Sequence, residues 1–248
     1  MARELRLLDP DLDIHYVADR ARAPYGPRPL LDVRRFGEEI TEHLIGGGAQ
    51  LIIIACNAAS SAALHHLRDL HPATSFVGME PAVKPAALAT SSGVVGVLTT
   101  AATFQGRLFA SVLDRFATGI TIEAAVCDGW VEMVEKGVVS GPEAEKAVRR
   151  HVGPLLEKGA DTLVLGCTHF PFLVPVIHSV AGPGVTVVDP GPAVARQAQR
   201  VAAELGITGG TGLLRFDVTG PVADGADLAR HLAGFEIIPT TVTLGQDD

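Results

Sequence analysis

The sequence predicts an α/β protein built as two similar three-layer αβα domains with mainly parallel sheets, and an active site where the two meet. From Ile14 onward, short β-branched or aliphatic runs alternate with segments of helical period, which is the pattern of βαβ units. At 248 residues, 47% hydrophobic and only 19% charged, the chain can bury a core of one large or two modest domains. An apolar run that ends in a cysteine followed by polar residues occurs twice, in "LIIIACNAAS" (51–60) and "TLVLGCTHFP" (162–171). The two lie about half the chain apart, as two facing halves would place them. The expected division is 1–80 with 190–248 on the Cys56 side, and 81–189 on the Cys167 side.

Taken in order, the aliphatic runs give strands near 14–18, 50–55, 75–79, 93–98, 120–126, 161–166 and 185–188. Helical periodicity falls between them, near 29–45, 57–70, 81–90, 101–116, 141–157, 171–181 and 191–205. The first of these helices closes at Gly46, Gly47 and Gly48, a strong C-terminal stop. Beyond the glycine-rich stretch 206–212 the pattern becomes a short strand (Leu213–Val218), a helix near Ala226–Leu232 and a last strand near Thr240–Leu244. No low-complexity linker marks a boundary.

Composition narrows the function. A net charge of −8 and the lack of any basic patch beyond isolated arginine pairs argue against nucleic acid. The N-terminus carries no apolar signal region, and every long apolar stretch is interrupted well short of a membrane span. A cytoplasmic protein with no membrane partner is expected. Its three cysteines, Cys56, Cys127 and Cys167, lack the dense, even spacing of a secreted scaffold and read as reduced thiols.

In open α/β sheets, ligands sit beyond the carboxyl ends of the strands, where the next helix presents unpaired N–H groups. Cys56 and Cys167 both fall at such ends. A helix N-terminus there is expected to lower the thiol pKa from about 8.5 towards neutrality, which favours thiolate. Asn57 and Thr168, next in the chain, can offer hydrogen bonds to a carboxylate. The alternative, that each cysteine is a small buried hydrophobe, suits a single cysteine better than two in matching contexts. Cys127 follows "IEAAV" without the polar signature and reads as structural.

A metal site is a weaker reading. His65, His66 and His71 lie close in sequence and His169 follows Cys167, but no CxxC pair or HExxH occurs, and His65 and His66 stand more than two helical turns from Cys56. The four lysines lie on helix or turn segments without a phosphate-cradling glycine loop, which speaks against pyridoxal phosphate. "GVVGVL" does not satisfy GxGxxG. The expectation is an enzyme with no cofactor and no metal. Two thiols on opposite sides of one carbon suit a two-base proton transfer, that is, racemisation or epimerisation.

These residues resemble the aspartate/glutamate racemase superfamily, and most closely its glutamate racemases. "ACNAAS" is similar to the family's first cysteine motif (alanine, cysteine, asparagine, threonine, alanine), and "GCTHFP" to its second. "YVADRARAPYG" (16–26), "GVLTTAATF" (96–104) and "WVEMVEKG" (130–137) follow the family's order. The resemblance implies that Cys56 is the base towards the D-enantiomer and Cys167 towards the L-enantiomer. His169 would tune or relay protons for Cys167, with Glu135 behind it; Glu132 stands open as the alternative acid. Pro24, Tyr25, Gly26, Asn57, Thr103, Thr168 and the segment at Ala58 would hold the substrate's ammonium and carboxylates. The implied partner is a small acidic amino acid, the implied role is supply of D-glutamate for peptidoglycan, and the implied assembly is a homodimer.

Two departures from the pattern bear on function. The family opens with a strand ending in an aspartate-serine-glycine loop, whose aspartate assists the first cysteine and whose serine binds substrate. Here Met1 stands in what reads as the following helix, which implies either an upstream start or a lost strand that leaves a sheet edge or gap to be covered. Ala58 stands where the family has threonine, and a missing hydroxyl costs on the order of 1–3 kcal/mol where the group it served is buried. Two rival readings follow: a relative acting on aspartate, a malonate or another acid, and a catalytically weak homologue that binds an acidic ligand.

Overall fold

A computed structural model of the chain describes residues 1–116, 119–221 and 239–245. In chain order the elements are α1 (Ala2–Leu8), β1 (Ile14–Ala18), α2 (Leu30–Gly46), β2 (Leu51–Ile54), α3 (Asn57–Leu70), β3 (Ser75–Gly78), α4 (Val83–Ala89) and β4 (Val94–Thr99). Then follow α5 (Ala101–Gln105), α6 (Arg107–Phe116), β5 (Thr121–Val126), α7 (Trp130–Glu135), α8 (Gly141–Glu157), β6 (Thr162–Leu165), α9 (Val174–Ala181), β7 (Thr186–Val188), α10 (Gly191–Glu204), β8 (Leu214–Thr219) and β9 (Thr240–Val242). Single 3-10 turns occupy Arg20–Arg22 and Phe170–Leu173.

Among the described residues every strand pairing is parallel. The sheet orders are β5-β4-β6-β7, β1-β8-β9 and β2-β3. All four residues of β6, Thr162 to Leu165, are buried, because helices cover both faces of that strand and leave no polar side to alternate with. Around it lies the largest core, in which Trp130, Phe170, Leu173 and Ile177 are fully buried. Helix α8 presents Ala144, Val148, Val152 and Leu155 to this core, one stripe at helical spacing. Each of its larger apolar side chains contributes about 1.5–3 kcal/mol by burial.

Helix α2 ends as its glycines predict. The Gly47 N–H returns to His43 O at 3.0 Å and the Gly48 N–H to Ile45 O at 2.9 Å, with Gly48 at φ +86°. The helix expected over 101–116 is instead two, because Gly106 is extended (φ −75°, ψ 142°) and Ser61 of α3 occupies the space a Cβ would need, at 2.4 Å. The helix expected over 171–181 begins as the 3-10 turn before α9. A short helix at 2–8 precedes β1 and another at 130–135 follows β5, and the helix expected near 226–232 lies outside the described residues.

Strands β1 and β2 are not paired with each other; among the described residues each is the end strand of its sheet. Their consecutive residues, 14–18 and 51–55, border one cavity of ≈ 1360 Å³. Helix α1 crosses this space, with Leu5 buried among Ile14, Leu51, Ile53, Val77, Ala195 and Ala198. The β1 end of the gap is pinned by a staple: the buried Asp217 carboxylate of β8 receives His15 Nε2 at 2.6 Å and His43 Nε2 at 2.8 Å, together with the Arg215 guanidinium. Among the described residues no helix is long and apolar enough to cross a membrane.

Candidate active site

The loops that follow β1, β2, β4 and β6 converge on the cavity, at the carboxyl ends where a parallel sheet offers ligand space. On the β2 side, Ser60 ties helix to strand: its hydroxyl donates to Ile54 O at 3.0 Å and accepts the Met79 N–H at 2.9 Å. That bracing sets Cys56 at the N-cap of α3, where Sγ accepts the Ala59 N–H at 3.5 Å. The expected depression of this thiol's pKa does not occur. Burial pushes Cys56 up to about 11, outweighing the N–H groups of Ala59 and Ala58, and the neighbouring Cys167 adds to the rise. At neutral pH Cys56 is a thiol, poised to give a proton.

The next residue, Asn57, is 2% exposed, and neither Oδ1 nor Nδ2 of its amide has a hydrogen-bond partner. A buried amide left unpaired is costly, so its place on the cavity wall points to a ligand that completes it. Ala58 is buried beside it and offers the cavity only a methyl group.

On the β6 side, Gly166 lets the chain turn against β4. Its N–H donates to Leu98 O at 2.7 Å, and a Cβ there would meet that same oxygen at 2.8 Å. Cys167 follows, its Sγ 3.8 Å from His169 Nδ1. The other imidazole nitrogen, Nε2, is 2.6 Å from Glu135 Oε1, and Glu135 Oε2 receives Arg20 Nη1 at 2.6 Å. Burial alone would depress His169, but its bonds to Cys167 and Glu135 and their charges overcome that and raise it to about 10. Burial raises Glu135 in turn, yet His169 and Arg20 together leave it below its ordinary value. Glu132, the alternative acid, faces a separate small cavity with Cys127 and Asp128. Thr168 reaches across to the other cysteine's strand, its hydroxyl donating to Ala55 O at 3.3 Å.

From β1 and β4 come the remaining residues the sequence singles out. Tyr25 donates its hydroxyl to Asp19, burial being the main reason its own pKa rises; Asp19 also holds Arg22 and accepts from Thr219 at 2.7 Å. The Ala23–Pro24 peptide is cis. Gly26 packs on Thr100, whose side chain would lie 3.2 Å from an added Cβ, and its carbonyl accepts the Ala102 N–H at 2.9 Å. Thr103 is buried and accepts the Thr100 hydroxyl at 3.1 Å. Cys56, Cys167, His169, Glu135, Pro24, Tyr25, Gly26, Asn57, Ala58, Thr103 and Thr168 all border the same cavity. Cys127 lies apart, buried, its pKa driven up chiefly by desolvation.

Sequence reasoning missed Asp19, Arg20 and Thr100. The rule that side chains just past a parallel strand line the ligand space would have flagged all three. Among the described residues one group of three potential metal-ligating side chains comes together, His15, His43 and Asp217. Three contacts from His15, His43 and Arg215 converge on Asp217 Oδ2 and one from Arg215 reaches Oδ1, so the cluster is held together by hydrogen bonds and ion pairs.

The family model for Asp/Glu/Hydantoin racemase matches residues 1–198. The chain belongs to this racemase family. Within it, a curated glutamate racemase from Ectopseudomonas mendocina is 47% identical over 199 residues, covering 80% of this chain and 76% of that one. One from Roseiflexus is 46% identical over 205 residues, covering 83% and 75%. Among solved structures, a glutamate racemase isoform from Bacillus anthracis superposes with a TM-score of 0.88 at 26% identity, covering 98% of this chain and 92% of that one. A Francisella tularensis glutamate racemase in complex with D-glutamate gives 0.86 at 25% identity, with 99% and 93% covered. The two-domain α/β architecture expected for a racemase is thus the architecture of its solved neighbours.

Proposed function

We propose that the protein interconverts L- and D-glutamate without a cofactor, by a two-thiol, two-base mechanism, and so supplies D-glutamate for peptidoglycan. The observation that carries this reading is the pairing of Cys56 and Cys167 on one cavity beside the unpartnered Asn57 amide. In the L-to-D direction, Cys167 as thiolate removes the α-proton, and its S–H bond forms as the C–H bond breaks. The Cys56 thiol then gives its proton to the opposite face of the carbanion and is left as thiolate. The state of Cys56, a thiol held up at about 11, suits it to that donor step.

In the D-to-L direction, where the Cys167 thiol gives its proton to the carbanion and is left as thiolate, the protonated His169, with Nδ1 towards Cys167 and Nε2 on Glu135, returns a proton to that sulfur from Nδ1. Asn57 and Thr168 hold substrate carboxylate, with Pro24, Tyr25, Gly26 and Thr103 closing the other walls. Ala58 offers no hydroxyl to that carboxylate, which keeps a second acidic substrate in view. Proton NMR in D2O with each enantiomer of glutamate and of aspartate tests the assignment. Loss of the α-proton signal from both glutamate enantiomers, blocked by thiol alkylation, is the expected result. Exchange with aspartate alone would reassign the substrate, and no exchange with any of the four would refute the two-base reading for this chain.

A further inference from the structure

We propose that Arg20 is a positioning residue of the proton relay: it takes one oxygen of Glu135 so that the other is held on His169 and the imidazole stays aimed at Cys167. The inference rests on the racemase reading for its catalytic consequence and on geometry for its physical content. A glutamate carboxylate turns readily about its last torsion, so a single contact at Oε1 does not fix it. Here Oε2 is also taken, by Arg20 Nη1 at 2.6 Å, while Oε1 meets His169 Nε2 at 2.6 Å. A carboxylate held at both oxygens defines the plane and tilt of the imidazole it supports.

Ordinary surface ion pairs do little, because water screens them and both side chains must be ordered. This pair differs in two respects. Arg20 and Glu135 are each 26% exposed, and Arg20 sits on a short 3-10 turn braced from two sides. The Ala21 N–H donates to Thr219 Oγ1 at 3.1 Å, and the Ala23 N–H returns to Arg20 O at 3.3 Å. The pair also joins the loop after β1 to α7, 115 positions away, so it ties the two sides of the cavity as well as the carboxylate.

The groups facing Glu135 are Arg20 and Tyr16 from the β1 side and His169, backed by Cys167, from the β6 side; Glu132 and Lys136 flank it along its own helix. Arg20 and the protonated His169 are the cations in contact with the carboxylate, one on each oxygen, and without Arg20 the carboxylate takes up a proton at higher pH.

Arg20→Ala and Arg20→Lys, compared with the parent, test the proposal. In Arg20→Ala, kcat should fall about tenfold with KM within about twofold, a loss confined to the reacting arrangement. The acid limb of the pH profile should move upward by about half a pH unit to one unit, the scale of a partly screened ion pair. Arg20→Lys, which restores a charge at that place, should recover most of both. The carboxyl titration of Glu135, followed by 13C NMR without turnover, should shift upward in Arg20→Ala by the same amount. An unmoved Glu135 titration would overturn the proposal whether or not the protein racemises glutamate. A kcat loss that Arg20→Lys does not lessen would overturn it too, by making Arg20 merely structural. A shifted titration in a protein that exchanges no α-proton upholds the placement of Arg20 and sinks only the activity reading.

Discussion

Asn57 gives a test in which stability and function move in opposite directions. Its side chain is 2% exposed and neither amide atom has a partner, so the unliganded protein bears the desolvation of an N–H donor and a C=O acceptor. Each unpaired buried group costs about 1–3 kcal/mol, and cavity water relieves part of it. Replacement by leucine, similar in branching but apolar, removes both unpaired groups; its larger volume offsets some of the gain. Asn57→Leu is therefore expected to stabilise the unliganded protein by about 1–2 kcal/mol, which for a chain of this size raises Tm by about 2–8 °C. The same change deletes a hydrogen bond to a charged substrate group, worth about 1.5–3 kcal/mol, so kcat/KM for glutamate should fall about 10- to 100-fold. Thermal scans with and without D-glutamate, beside the NMR exchange assay, read both quantities. A lower Tm with undiminished activity would show that the amide is satisfied within the protein and that the argument from its orphaned atoms is wrong.

The remaining tests bear on the thiols, the imidazole and one glycine. Cys56→Ala and Cys167→Ala should each abolish racemisation measured by circular dichroism, since each thiol completes one direction; parental turnover in either would remove the two-base mechanism. His169, at about 10 in the folded chain against about 6.5 unfolded, binds its proton more tightly when folded. Its contribution to stability is thus present in full below about pH 6.5 and is lost as the pH rises through about 10. The parent's Tm should fall across that window more than that of His169→Asn, and parallel curves would contradict the raised value. Gly166→Ala should cost about 1–3 kcal/mol in a denaturant titration, because its Cβ would lie 2.8 Å from the Leu98 carbonyl oxygen, a backbone atom held in β4.

What the sequence made legible was set by local chemistry. The aliphatic run Leu163–Leu165 of β6 declares itself because burial on both faces leaves a short-range signature, as does the helical period that begins α3 at Asn57. Gly106 did not declare the break between α5 and α6, since one glycine inside a helical period is compatible with a continuous helix. Ser61 of α3 standing where a Cβ would go explains why this position must be glycine, a tertiary requirement that local periodicity does not show. Helix α7, at six residues, is shorter than the window over which periodicity can be read. Arg20 and Glu135 carry nothing in their spacing to show that they meet.

Cys56 is the most instructive case, because the sequence placed it correctly and still misjudged its state. A strand end followed by a helix locates the thiol among N–H groups, and those groups do act to lower its pKa. The sequence does not register how much water the closing walls remove, and that larger effect reverses the sign. The same burial works against the His169 charge, but the bonds and charges of Cys167 and then of Glu135, itself held by Arg20, outweigh it and keep His169 protonated. The two cysteines arise from one repeated motif yet rest in unlike environments, the Cys56 thiol held protonated and Cys167 backed by a charged relay. For Cys56 to act as base in the proposed D-to-L direction it must first lose the proton that burial holds on it.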